Sequence, residues 1–356
     1  VILVLNAGSS TLKFGLFDDA LARLAGGTIE EAGDPHAALA TVLGGLPAAP
    51  TRVGQRVVHG GTRHTRSVVV DPDVRAEIAA LAELAPLHNP PALAAIDAVA
   101  AALPAVPQVA VFDTAYFATL PPRRFVYPVP YGWYADWGVR RFGFHGISHA
   151  WAAERAAAML GRADLRVVSC HLGNGCSATA SRGGVAVDTT MGFTPLDGLM
   201  MGTRPGALDP GILVHVQRRH GVDAETLDRL LNHGSGLLGV SGVASDFRAV
   251  EAAAAGGDPR ARLALEIYAD RVRGAIGALA VALGGVDALV FTAGVGENAA
   301  GLRAEICAGL ACLGLAIDPA RNAAARPDAD VAAAGHILVV HAEEERMIAR
   351  ETARLT

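Results

Sequence analysis

The chain opens Val1-Ile2-Leu3-Val4-Leu5-Asn6-Ala7-Gly8-Ser9-Ser10-Thr11-Leu12-Lys13-Phe14-Gly15-Leu16-Phe17. An apolar strand, Val1 to Asn6, runs into a turn of small residues, and a second strand follows from Leu12 to Phe17, which predicts a hairpin. The pattern returns later in the chain. Leu172-Gly173-Asn174-Gly175-Cys176-Ser177 matches Leu5-Asn6-Ala7-Gly8-Ser9-Ser10 at three of six positions, and it too lies between two apolar strands. Turn chemistry alone places Gly and Ser at such points. The other reading is a duplicated domain that presents two glycine-rich hairpins to one cleft.

Alternation and β-branched content predict further strands near 52–57, 106–112, 166–171, 177–181, 185–188, 288–292 and 336–341. Helical patterns fall at 72–84, 91–103, 150–160, 224–231, 259–283 and 299–313. Asp258 before Pro259 is a cap and first-turn pair, and Gly284 is a stop. Strands followed by alternating helices and strands occur twice, which makes the fold class α/β.

The 356 residues suggest two domains, each large enough for a core. A net charge of -5 argues against a nucleic-acid partner, which would need a basic face. No uncharged apolar run reaches the ~18 residues of a membrane span, and Val1–Leu5 is too short for a signal-peptide core, so a cytoplasmic protein is expected. Cys170, Cys176, Cys307 and Cys312 form no CxxC pair and are expected to be buried thiols. Lys occurs once, at Lys13; the other 29 basic residues are Arg. A compact ammonium at that point suggests a task a planar guanidinium would not do as well.

Several loops could carry chemistry. Asn6 to Lys13 offers amides, hydroxyls and a cation, as a phosphate-approaching loop would, although GxxxxGK[ST] is absent. Residues 173–178 read GxGxxA, but a second hairpin, not a helix, is expected after them, so the dinucleotide fingerprint fails in context. Gly234–Gly239 matches GxGxxG without a preceding strand. Phe291-Thr292-Ala293-Gly294-Val295-Gly296-Glu297-Asn298 is a strand ending in glycines that opens a helix. His145 and His149 stand four apart as in a zinc helix, without the glutamate of HExxH, so a metalloenzyme is a minor alternative. His59, His88, His145 and His171 each adjoin a Gly- or Pro-marked turn. Arg56 and Arg204 each lie beside flexible backbone and together would supply two planar forks for anions. Asp113 ends a strong strand, where it reads as a helix cap or a ligand-site residue. The acids Glu343-Glu344-Glu345 open the last helix, where they complement its dipole; a carboxylate reaching Mg²⁺ is the other reading.

These segments, in this order, resemble the acetate kinase family. The specific ones are Arg141-Phe142-Gly143-Phe144-His145-Gly146 followed by Met191-Gly192-Phe193-Thr194-Pro195-Leu196, and the matches run from Asn6 to Thr352. The resemblance implies two duplicated α/β domains of the sugar kinase, Hsp70 and actin (ribonuclease H-like) type around a central cleft. Residues 1–115 plus 342–356 would form the N-terminal domain, completed by the C-terminal helix. Residues 116–341 would form the second, with most of the nucleotide site.

It further implies reversible transfer from ATP to acetate, with Mg²⁺ or Mn²⁺ as cofactor, ATP/ADP and acetate/acetyl phosphate as partners, and a homodimer. By the same resemblance, Arg56, Arg204, His145 and Asp113 are catalytic. Val58, Leu87, Phe144 and Pro195, with Arg56, form the substrate pocket. Lys13, His171, Gly173, Asn174, Gly175, Gly294, Gly296 and Asn298 bind nucleotide, and Asn6 and Glu344 the metal. Propionate kinase and a non-enzymatic ATPase clamp of the actin or Hsp70 kind are the alternatives. Phe117 stands where the family usually has His, and Glu343 where it usually has Asn.

Overall fold

The structure is a computed structural model and describes residues 1–8, 11–30, 34–86 and 88–356. Two six-stranded sheets organise it. The first contains β1 (Ile2–Ala7), β2 (Thr11–Phe17), β3 (Arg23–Glu30), β4 (Arg52–Val57), β5 (Val68–Val69) and β6 (Gln108–Phe112), in the order β3-β2-β1-β4-β6-β5. The second contains β7 (Arg166–Leu172), β8 (Cys176–Arg182), β9 (Val185–Thr189), β10 (Ala288–Thr292), β12 (Ala329–Asp330) and β14 (Ile337–Val339), in the order β12-β14-β10-β7-β8-β9. β11 (Ala316–Ile317) and β13 (Ala332–Ala334) form a separate two-stranded ribbon.

The two sheets correspond strand for strand. β1-β2-β3 and β7-β8-β9 are antiparallel meanders. β1, β4 and β6 run parallel, as do β7, β10 and β14. An antiparallel edge strand, β5 or β12, closes each. The faint sequence repeat therefore marks a duplicated topology, in which both glycine turns join the first two strands of a sheet.

The central parallel strands are covered on both faces and read as apolar runs bounded by one polar residue, Gln108 or Thr292: every residue of β6 and of β10 is buried. β3 was not expected, because its exposed, glycine-containing sequence lacks alternation; it pairs along β2 as an edge strand. The helix expected over 72–84 ends at Ala80 in a 3-10 turn. The one expected over 299–313 breaks after Cys307, and the one expected from 150 starts at Gly146. Cys170, Cys176 and Cys307 are buried, but Cys312 is exposed on the 3-10 turn Ala311–Leu313.

The chain divides into two compact units. The first comprises Val1–Ala118, Phe144–Trp151 and Glu343–Thr356, and the second Thr119–Gly143 and Ala152–Ala342. Phe144–Trp151, expected in the second domain, belongs with the first. Phe144 meets His59 edge-on at 5.6 Å, and His149 meets Phe117 at 6.3 Å. A Cβ on Gly146 would overlap the carbonyl oxygen of Asp113. The C-terminal helix, Glu344–Leu355, lies so close to β4 that a Cβ on Gly54 would run into Thr352 and Ile348.

Candidate active site

Three neighbouring parallel strands of the first unit carry polar residues close to their C-terminal ends: Asn6 and Arg56 one residue before it on β1 and β4, and Asp113 directly after β6. Arg56 on β4 donates from Nε to Asp113 Oδ1 at 3.2 Å and from Nη2 to Oδ2 at 2.6 Å. Its Nη1 reaches the Asn6 amide oxygen, at the end of β1, at 3.1 Å. Asp113 follows β6 and is fully buried. Burial disfavours the Arg56 charge, but Asp113 and Glu344 outweigh it and hold the guanidinium protonated more firmly than usual. The fork expected to meet substrate is therefore already engaged by a carboxylate, which makes Asp113 the residue that orients it.

Glu344 Oε1 is buried and has no hydrogen-bond partner among the described residues. Mg²⁺ is commonly held by one or two carboxylates together with substrate phosphates, so this open oxygen suits such an ion. Asn6 does not match that expectation equally, because the oxygen that would ligate a cation accepts from Arg56. Among the described residues no group of three or more His, Cys, Asp or Glu could hold a metal by itself. The His145/His149 pair thus lacks the company a zinc site needs. Lys13 faces Asn6 across the hairpin, is exposed, and lies near enough to Glu345 to oppose the upward push that burial gives that carboxyl.

His59 is wholly buried, and burial lowers its pKa to about 4. Its Nδ1 accepts from the Gly61 amide at 3.0 Å, which places the proton of the neutral ring on Nε2. Val58 and Phe144 are buried beside it in sequence and in space. Leu87 lies outside the described residues. His145 has φ 58°, a left-handed conformation that costs a non-glycine residue energy and is often found at functional sites.

In the second unit the turn Gly173–Gly175 joins β7 to β8. Gly173 donates to the Gly175 carbonyl at 3.1 Å, and the Asn174 carbonyl accepts from the Gly202 amide at 3.0 Å. The Asn174 side chain lies over Gly202, where a Cβ would displace it. Two residues on, Arg204 is half-buried and donates from Nη1 to the Pro195 carbonyl at 2.8 Å. No carboxylate pairs with it among the described residues, and burial lowers its pKa, an effect Cys176 only offsets. A cation withdrawn from water without a counter-charge is a place for an anion. His171 is buried on β7, in register with Ser177 and Thr292.

A cavity of about 640 Å³ opens in this unit, lined by Gly173, Asn174, Phe247, Tyr268, Gly294 and Asn298, among others. Gly175 and Gly296 are not in its wall. Gly296 is instead buried in the short helix Ala293–Asn298, where it faces the backbone of β7 and the end of β10. Phe247, Arg248, Glu251 and Tyr268 line the cavity but were not singled out from sequence. The available signal was Asp246, whose side chain caps the helix Phe247–Ala255.

A profile of the acetokinase family matches residues 48–350. The acetate kinase of Gloeobacter violaceus is 55% identical over 311 residues, covering 86% of this chain and 76% of that protein. The acetate kinase of Trichormus variabilis is 45% identical over 397 residues, 98% of each. The crystal structure of Porphyromonas gingivalis acetate kinase superposes with a TM-score of 0.93 at 38% identity, covering 99% of both chains. A propionate kinase from Francisella tularensis gives 0.94 at 38%, covering 100% of this chain and 99% of that one. The two sheet-bearing lobes are those of the sugar kinase, Hsp70 and actin superfamily. The chain belongs to the acetokinase family.

Proposed function

We propose that the protein is a phosphotransferase that reversibly moves the γ-phosphoryl group of ATP to acetate, giving acetyl phosphate and ADP. The observation that carries this reading is Arg204, a desolvated guanidinium with no carboxylate partner among the described residues. Acetate is ionised at pH 7, so it needs no general base. The obstacle is the approach of one anion to another, and catalysis consists of positioning and charge neutralisation.

Arg204 binds the transferring phosphoryl group, and Arg56, held rigid by Asp113 and Asn6, presents its remaining edge to the carboxylate. His145 donates to the phosphoryl oxygens. The 640 Å³ cavity takes the nucleotide, with Asn174, Gly294 and Asn298 in its wall. Glu344 is the carboxylate for Mg²⁺, which when bound supplies further charge neutralisation on the phosphates. Val58 and Phe144 bound the acyl methyl. One methylene in such a pocket is worth ~1–3 kcal/mol, so propionate is a slower second substrate.

The test is to incubate the purified protein with Mg-ATP and acetate, propionate or butyrate, and trap acyl phosphate with hydroxylamine. Acetate is expected to give the highest kcat/KM. No hydroxamate from any of the three would end the proposal, and nucleotide binding without transfer would favour an ATP-driven clamp. No helix among the described residues is long and apolar enough to cross a membrane.

A further inference from the structure

We infer that Tyr268 and Cys176 are positioning residues for the nucleotide: a chain of two hydrogen bonds from them fixes the Gly173–Asn174 turn in the cavity wall. Cys176 is the first residue of β8, fully buried, and its Sγ donates to the Gly173 carbonyl at 3.2 Å. The Tyr268 hydroxyl lies 2.9 Å from the same sulfur. A thiol has one proton. With it committed to Gly173, the phenol must be the donor in the second bond, so the order runs Tyr268 to Cys176 to Gly173. Burial pushes the Cys176 thiol up to about 11, which keeps that proton in place at neutral pH.

Tyr268 sits within the long helix Pro259–Leu283 and packs edge-on against Phe247 at 5.9 Å. Tyr268, Phe247, Gly173 and Asn174 all line the 640 Å³ cavity. The helix therefore sets the height of the turn from one side. The Gly202 amide holds the Asn174 carbonyl from the other, on the loop that carries Arg204. The turn has only three residues and runs directly into the strand β8, so no helix follows it to supply amides to a phosphate. Its own backbone must be held in one place, and a buried hydrogen-bonded relay does that.

This inference rests on the cavity being the nucleotide site, and its test reads binding separately from transfer. ADP affinity is measured by calorimetry without acetate for wild type, Tyr268→Phe, Cys176→Ala and Cys176→Ser. Tyr268→Phe keeps the ring in the cavity wall and removes only the hydroxyl. Tyr268→Phe and Cys176→Ala are each expected to weaken ADP roughly tenfold, the usual scale of one lost buried hydrogen bond. The KM for ATP rises in step, and the KM for acetate does not move. Cys176→Ser, whose hydroxyl can repeat both bonds, restores affinity towards wild type. Folded variants with unchanged ADP affinity would overturn the inference, as would Cys176→Ser behaving like Cys176→Ala. If wild type binds ADP but forms no acyl phosphate, the proposed reaction fails while these comparisons still decide the role of the pair.

Discussion

Arg204 and Arg56 look equivalent in sequence, each an arginine beside flexible backbone, and the expectation from sequence is that replacing either leaves the fold intact. Their surroundings differ. Arg204 gives one hydrogen bond to a carbonyl and faces no carboxylate among the described residues; on the proposed function, the folded protein bears its desolvation in order to meet an anion. Arg204→Ala should lower kcat/KM by ~10²–10³, the range seen when one donor to developing charge is removed, with unfolding stability unchanged or higher. Arg56 instead neutralises Asp113, which is fully buried. Arg56→Ala leaves that carboxylate without its partner and should cost about 3–5 kcal/mol of stability as well as activity. Urea titrations of the two variants beside their kinetics check this. Equal stability losses would show that the neighbours, and not the residue type, had been misread.

At the scale of elements, much was legible where local chemistry speaks for itself. Pro259–Leu283 begins with Asp258 accepting from two amides and ends at Gly284 with φ 72°, as the sequence predicts. The same Asp-Pro start opens the helices at Pro35, Pro72, Pro210 and Pro319, and reading it everywhere would have found three helices that apolar periodicity missed. β3 was not legible, because an edge strand is made by its neighbour's hydrogen bonds more than by its own pattern. Nor was the start of the helix Gly146–Leu160, which depends on tertiary contact with Asp113. That contact gives a prediction. Gly146→Ala drives a methyl into the Asp113 carbonyl and should cost ~1–3 kcal/mol together with most of kcat, because His145 must move. Asp258→Ala removes a cap, should cost ~1 kcal/mol, and should leave kcat alone. Thermal unfolding and steady-state rates on the two variants separate a helix start that shapes the site from one that only stabilises the fold.

For the whole molecule, the repeated topology gives each unit a sheet of its own, while the chain passes between them more than once. The first unit is assembled from three separate segments, including the C-terminal helix. The candidate residues divide accordingly: Asn6, Arg56, Asp113, His145 and Glu344 lie in the first unit, and Asn174, Arg204, Gly294 and Asn298 in the second. Sequence order alone could assign the motifs to a family, but it could not say which groups share a core, since Phe144–Trp151 returns to the first unit from within the second. The cavity proposed for the nucleotide is lined entirely by residues of the second unit. ADP alone should therefore protect that unit first. At ADP near 100 times its Kd, binding adds ~2.7 kcal/mol against opening of whatever it contacts. Hydrogen exchange with and without ADP should show the added protection around Gly173–Asn174, Asp246–Glu251 and Gly294–Ala299. Amides of β1, β4 and β6 should be less affected, because their exchange reports opening of a separate core. Protection centred on the first unit, with none at the second, would mean that the nucleotide site had been placed in the wrong half of the chain.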